Sequence, residues 1–271
     1  MDIRLKAEKA LQNIKKANPL VHNITNYVAA NFQANALLAI GASPVMAHSE
    51  DEVEDIESIA DALVLNIGTP SKSALSSMIR AGIKAKELGK PVILDPVGAG
   101  ATKFRDRVVK EILTHVSVDI VRGNASEIAA LCGIAGKTKG VDASLFAADV
   151  IDEATDFSKK VKAVVVVSGP VDYVIAQDTM IECQNGVPML GKITGSGCAV
   201  TSIIGAFAAV EEDKTLAALF GLGLFGFAGE RASKNSNGPG SFASLLIDEL
   251  YKVTPLEFSK NLKFKIKRSE S

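Results

Sequence analysis

Cysteine is scarce in these 271 residues: Cys132, Cys183 and Cys198 make an odd total with no CxxC spacing. That pattern argues against a disulfide framework and suits a reducing compartment. Charge of one sign is missing too, because 30 lysines and arginines against 31 aspartates and glutamates leave a net charge of -1. With no basic field to release counterions, neither nucleic acid nor an anionic membrane surface is an expected partner. Long hydrophobic runs are absent. The most apolar stretch, residues 215–229, closes at Glu230 and Arg231 and falls short of the roughly 20 residues a bilayer span needs, so it reads as a buried helix. The opening MDIRLKAEKALQNIKKANP is a charged amphipathic helix without the apolar core of a signal peptide. Nor does a Pro-, Gly- or Ser-rich linker divide the chain. These absences lead to the expectation of one domain, residues 1–271, soluble and cytoplasmic, with a sizeable core.

What is present is a repeated alternation of short apolar runs and helical periodicity. Residues 61–67 (DALVLNI), 91–94 (PVIL), 119–121 (DIV) and 163–167 (AVVVV) each end in small or polar residues. Runs that are continuously apolar, separated by helices, predict parallel strands covered on both faces. Ligands collect beyond the carboxyl ends of such strands, where the chain places Asn66, Gly68, Asp95, Arg122, Asn124 and Ser168. After Pro170 the pattern changes: residues 172–177 and 180–183 predict antiparallel strands turning at Asp178-Thr179, with Asn185-Gly186 as a second turn. Helices are expected at about 196–210, 214–233 and 240–251, and the basic tail LKFKIKRSES reads as a frayed end or an edge strand.

Ile193-Thr194-Gly195-Ser196-Gly197-Cys198-Ala199 is the sharpest candidate site. Glycines just before a small-residue helix let backbone N–H groups of Gly195, Ser196 and Gly197 approach an anion, and the helix start adds a positive dipole end. The alternative is a plain strand-to-helix turn. Cys198, in the first turn, is either a thiol whose pKa the helix start depresses, able to take a proton from an alcohol, or a small buried apolar residue. Asp95, ahead of a Gly-rich turn, fits a water-mediated Mg²⁺ ligand or a simple cap. Asn124 and Glu127 fit a capping box, and Glu127 also fits a Mg²⁺ ligand acting through water or from behind the direct ligands. Arg122, ending a buried strand, needs an anion, supplied either by a nucleotide phosphate or by a structural carboxylate. Met46, Asn26 and Val28 could line a small aromatic-sized pocket, with ordinary core packing as the default for Met46.

Three motifs are set aside. Gly136-Lys137-Thr138 is not a P-loop, since neither Leu131 nor Cys132 supplies the leading glycine. Gly195-Ser196-Gly197 meets Val200 where a dinucleotide fingerprint needs a third glycine. His22, His48 and His115 lie too far apart in sequence to suggest zinc and read as hydrogen-bonded structural histidines.

Five segments in order, LVHNITNYVAANFQANALLAIGASPVMA, ALVLNIGT, PVILDPVGAGATKFR, RGNASEI and TGSGCAVTS, resemble the hydroxyethylthiazole kinase family from about Pro19 to Leu250. The resemblance implies a ribokinase-like, three-layer α/β fold without a lid domain, and phosphorylation of 4-methyl-5-(2-hydroxyethyl)thiazole by ATP and Mg²⁺. It implies a homotrimer with sites near subunit boundaries. By matching position it puts Met46 and Gly195 at the thiazole with Asn26 and Val28 nearby, Arg122 and Ser168 at the nucleotide, and Asp95 and Glu127 around Mg²⁺. Cys198 stands where the wider ribokinase-like group carries an aspartate base. The adenine pocket is expected among loops around 205–240. A pyrimidine kinase or a nucleotide-hydrate dehydratase of the same fold would show aspartate at 198, and a non-catalytic sensor would not need Asp95, Glu127 and Cys198 together.

Overall fold

The computed structural model describes residues 2–134, 147–177 and 179–268. The Gly136-Lys137-Thr138 motif and Asp178 of the expected hairpin turn lie outside the described residues. Nine strands form one sheet: β1 (Leu20–Ile24), β2 (Ser43–Val45), β3 (Ala62–Asn66), β4 (Val92–Asp95), β5 (Ile120–Asn124), β6 (Val164–Ser168), β7 (Asp172–Ala176), β8 (Thr179–Cys183) and β9 (Phe264–Arg268). Their order is β2-β1-β3-β4-β5-β6-β7-β8-β9. The pairs from β2 to β6 are parallel, and β6 to β9 pair antiparallel.

Helices cover both faces. One face holds α1 (Ile3–Ala17), α2 (Ala30–Ile40), α8 (Ser196–Val210), α9 (Lys214–Ser233), α10 (Pro239–Lys252) and α11 (Pro255–Asn261). The other holds α3 (Val53–Ile59), α4 (Lys72–Glu87), α5 (Lys103–His115), α6 (Ala125–Leu131) and α7 (Ile151–Val161). Successive strand residues serve the two cores in turn: Val64, Ile93, Val164 and Val166 face the first, Leu63, Leu65, Leu94, Val165 and Val167 the second. Side chains alternate across a strand, so a sheet buried on both faces needs every position apolar. The unbroken VVVV run follows from this. The layered, mostly parallel α/β expectation is met.

Both sheet edges are blunted. β2 has three residues, and β9 carries Lys265 and Lys267, the latter paired to Glu182. Short strands and edge lysines discourage pairing with another chain. The apolar run 215–229 sits inside α9, whose residues Leu216–Gly229 are buried throughout. No helix among the described residues is long and apolar enough to cross a membrane.

The α8–α9 packing depends on Gly221, where an added Cβ would lie 2.5 Å from Ile204 Cγ1 and 2.9 Å from Ile204 Cα. An ordinary helix-interior Gly→Ala change gains up to about 1 kcal/mol. Here the expected sign is reversed, because backbone cannot retreat from the new methyl. Gly221→Ala should cost about 1–3 kcal/mol of unfolding free energy in urea titrations.

Candidate active site

The carboxyl ends of β1, β3 and β4 lie side by side, and their polar side chains bond to one another. Ala29 N–H donates to Asn26 Oδ1 at 2.9 Å, and Gly68 N–H donates to Asn66 Oδ1 at 3.0 Å. Backbone N–H groups can only donate, so both amides are fixed with their NH₂ groups turned the other way. Asn26 Nδ2 then donates to Asn66 Oδ1 at 2.8 Å and to Cys198 Sγ at 3.4 Å. Asn66 Nδ2 donates to Asp95 Oδ2 at 2.9 Å. Gly68 permits the close approach, since a Cβ there would fall 2.8 Å from Asn26. Arg105 clamps the same loops, donating to the carbonyls of Ile67 at 2.9 Å, Val97 at 2.6 Å and Gly68 at 2.8 Å.

Helix α8 starts directly above this network. Its N-cap, Gly195, has φ +84°, a left-handed conformation that favours glycine, and no side chain caps the helix start. The first N–H groups are therefore available to a ligand. Gly197 lies against Arg122, where a Cβ would sit 2.7 Å from Nη1. Arg122 donates through Nη2 to Ser168 Oγ at 2.7 Å, and Ser168 in turn donates to the carbonyl of Gly123 at 3.1 Å. The buried Nε of Arg122 has no hydrogen-bond partner, and no carboxylate among the described residues forms a salt bridge with it. Of the two anions considered for Arg122, no structural carboxylate is in direct contact, although Asp95 and Asp172 act on the guanidinium at longer range. Ser196 spends its hydroxyl on the carbonyl of Leu190 at 2.8 Å, which leaves only its backbone for an anion.

Asp95 is completely buried, with Oδ2 bonded to Asn66 and to Thr201 Oγ1 at 2.9 Å and Oδ1 without a partner. Burial pushes its carboxyl up to about 7 and the charge of Glu127 adds to this, while Arg122, Thr201 and Asn66 pull the other way. Glu127 completes the predicted capping box with Asn124, bonding Asn124 N–H at 2.8 Å through Oε2 and Gly98 N–H at 2.8 Å through Oε1. It thereby ties the turn after β4 to the start of α6. No group of three or more His, Cys, Asp or Glu side chains among the described residues could hold a metal ion alone. Mg²⁺ asks for less: one or two carboxylates, several waters and substrate phosphates. Asp95, whose buried Oδ1 has no partner, and Glu127 fit that demand through water.

Of the two readings of Cys198, the structure contradicts the depressed pKa. Burial raises its thiol to about 11 and the charge of Asp95 contributes, overriding hydrogen bonds from Asn66 and Asn26. The resting residue is a thiol, not a thiolate. A cavity of about 450 Å³ opens on the Arg122 side of the α8 start, lined by Arg122, Ser168, Asp172, Gly197, Phe225 and Gly226 among others. Burial also raises Asp172 in its wall, to about 6. Helix α9 and the segment after β8 form the cavity's other walls. Asn185 is an anchor more than a turn residue, since its side chain bonds Glu230, Asn261 and Lys263.

Asn26, Asp95, Arg122, Ser168, Gly195, Ser196, Gly197 and Cys198 thus meet around one helix start. Met46, in the segment after β2, is held through its backbone: His48 contacts Met46 O at 3.1 Å and also the Thr25 backbone. Val28 is 67% exposed, so within one chain it encloses nothing. Asn66, Thr201 and Arg105 were not singled out for these partners, because each acts on residues remote in sequence.

Asp95→Asn gives the electrostatic test. A carboxyl raised from 3.8 to about 7 contributes stability that is full below pH 4 and lost as pH rises through 7. The variant lacks this loss. Its stability relative to wild type should grow between pH 4 and pH 8 by up to about 4 kcal/mol, as read by denaturant unfolding. A difference independent of pH would rule out a raised carboxyl.

Comparison with known proteins gives the family. The hydroxyethylthiazole kinase family model matches residues 11–255. A hydroxyethylthiazole kinase of Desulfotalea psychrophila is 45% identical over 264 residues, 97% of each chain. One from Methanocella arvoryzae is 46% identical over 253 residues, 93% of this chain and 95% of that one. The solved hydroxyethylthiazole kinase of Pyrococcus horikoshii superposes with a TM-score of 0.89 at 42% identity, covering 97% of this chain and 100% of the other. A pyridoxal kinase of Staphylococcus aureus in complex with ADP, at 12% identity, shares the fold alone, with a TM-score of 0.67 over 92% of this chain and 98% of that one. With nearly its whole length matched, the chain belongs to the hydroxyethylthiazole kinase family.

Proposed function

We propose that this chain transfers a phosphoryl group from ATP to the hydroxyl of 4-methyl-5-(2-hydroxyethyl)thiazole, a thiamine-salvage step, and acts as a single kinase domain in the cytoplasm. The observation that carries this reading is Arg122: a guanidinium with an orphaned buried Nε, no carboxylate in salt-bridge contact, and an uncapped helix start against it. Such a group calls for a ligand's negative charge.

In this reading Arg122, aimed by Ser168, and the N–H groups of residues 195–197 stabilise charge on the transferring phosphoryl. Mg²⁺, held through water by Asp95 and Glu127, would neutralise phosphate charge. Phosphoryl transfer has a loose transition state, so positioning supplies most of the acceleration. The pKa of Cys198 supports a role in holding the acceptor hydroxyl, whose proton passes to an oxygen of the transferred phosphoryl as the new O–P bond forms and the bond from that phosphorus to ADP breaks. Asn26, Met46 and Val28 border the thiazole. The exposure of Tyr27 and Val28 supports a homotrimer in which a neighbouring subunit covers this side of the site.

The decisive assay offers hydroxyethylthiazole and hydroxymethylpyrimidine together with ATP and records product masses. Only the thiazole should gain a phosphate; phosphorylation of the pyrimidine alone would replace the substrate assignment with that of a pyrimidine kinase. In the same assay, Arg122→Ala should lower kcat/KM for ATP by about 10²-fold. KM for the thiazole should change little.

A further inference from the structure

Beyond β2 the chain leaves the sheet, yet three consecutive carbonyls there are each held by a side chain. His48 Nδ1 donates to Met46 O at 3.1 Å, His22 Nε2 to Ala47 O at 2.9 Å, and Ser77 Oγ to His48 O at 2.8 Å. A carbonyl only accepts, so Nε2 of His22 must carry a proton. Its Nδ1 lies 2.6 Å from Glu57 Oε1, and both side chains are 0% exposed. One proton is shared between Nδ1 and the carboxylate. Glu57 therefore dictates which nitrogen faces Ala47, as a carboxylate behind an imidazole does in many sites.

A buried ion pair is by itself weak evidence of a gain in stability. Replacing a buried ion pair by apolar side chains is often neutral or stabilising. What the pair supplies is a fixed peptide unit beside Met46, at an edge strand of three residues that gives little anchoring of its own. The ring of His48, at the end of the held segment, stacks on Tyr27 with centroids 6.2 Å apart. The segment thus borders the stretch that begins with Asn26.

We infer that His22, oriented by Glu57, is a positioning residue for the alcohol substrate: it sets the path of residues 46–48 and so the placement of Met46 against the acceptor ring. This rests on the reading that Met46 faces the thiazole.

Steady-state kinetics with hydroxyethylthiazole and ATP test it. His22→Phe should raise KM for the thiazole about tenfold while leaving KM for ATP and kcat near wild type. Glu57→Gln should stay within about twofold of wild type, because its amide can donate to Nδ1 and keep the proton on Nε2. An unchanged thiazole KM in His22→Phe, or equal rises for both substrates, would overturn the inference. Met46→Ala separates the two claims. If it leaves the thiazole KM unchanged, the Met46 reading falls and takes this inference with it. If it raises KM while His22→Phe does not, only the positioning role falls. Should His22→Phe fail to fold, ring ¹⁵N–¹H spectra of the wild-type enzyme decide. Saturating hydroxyethylthiazole without ATP should shift the His22 Nε2–H resonance, and an unmoved resonance would refute the inference.

Discussion

The organisation of the site depends on two backbone N–H groups, those of Ala29 and Gly68, which can only donate. By fixing the carbonyl ends of Asn26 and Asn66 they polarise a chain of side chains from Cys198 to Asp95. Reversal of either amide would leave a buried N–H facing a backbone N–H, a loss of about 1–3 kcal/mol for each unsatisfied group. The consequence reaches both ends of the chain: the sulfur faces a donor, and Asp95 keeps one oxygen free.

The same arrangement explains how opposing charges are balanced. Glu127 acts on Asp95 across the strand ends, and Arg122 on the neighbouring strand offsets this at Asp95. Helices α6 and α8 begin here as well, so their positive dipole ends face the same region. The centre is therefore polarised and incompletely neutralised in the protein alone. Phosphates and a divalent cation would complete it from opposite sides, the first on Arg122 and the helix start, the second on the carboxylates.

Much of this was legible in the sequence wherever physics is local. β3, β4 and β6 announced themselves because burial on both faces demands unbroken apolar runs. The Asn124–Glu127 capping box was visible at its fixed spacing. β1 was not read as a strand, because LVHNI places His22 and Asn23 at fully buried positions. Those residues are tolerated only through remote partners: Glu57 and Ala47 for His22, and Ser202 for Asn23. β5 runs three residues past its apolar core for a similar reason, since Arg122, Gly123 and Asn124 pair with Val166, Val167 and Ser168. The thiol illustrates the limit most clearly. A helix start alone lowers a cysteine's pKa, but burial and a carboxylate more than a hundred residues away in the chain reverse the sign.

Placing a protonated thiol next to the acceptor assigns most of the rate to positioning and charge, and a modest part to proton removal. Rapid-quench measurement of a single phosphoryl transfer by Cys198→Ala, with hydroxyethylthiazole and ATP both saturating, tests this division most directly. The account expects transfer slowed by about 10²-fold yet readily measurable, as befits loss of a group that orients a hydroxyl. Transfer at the wild-type rate, or none detectable in a folded variant, would contradict it.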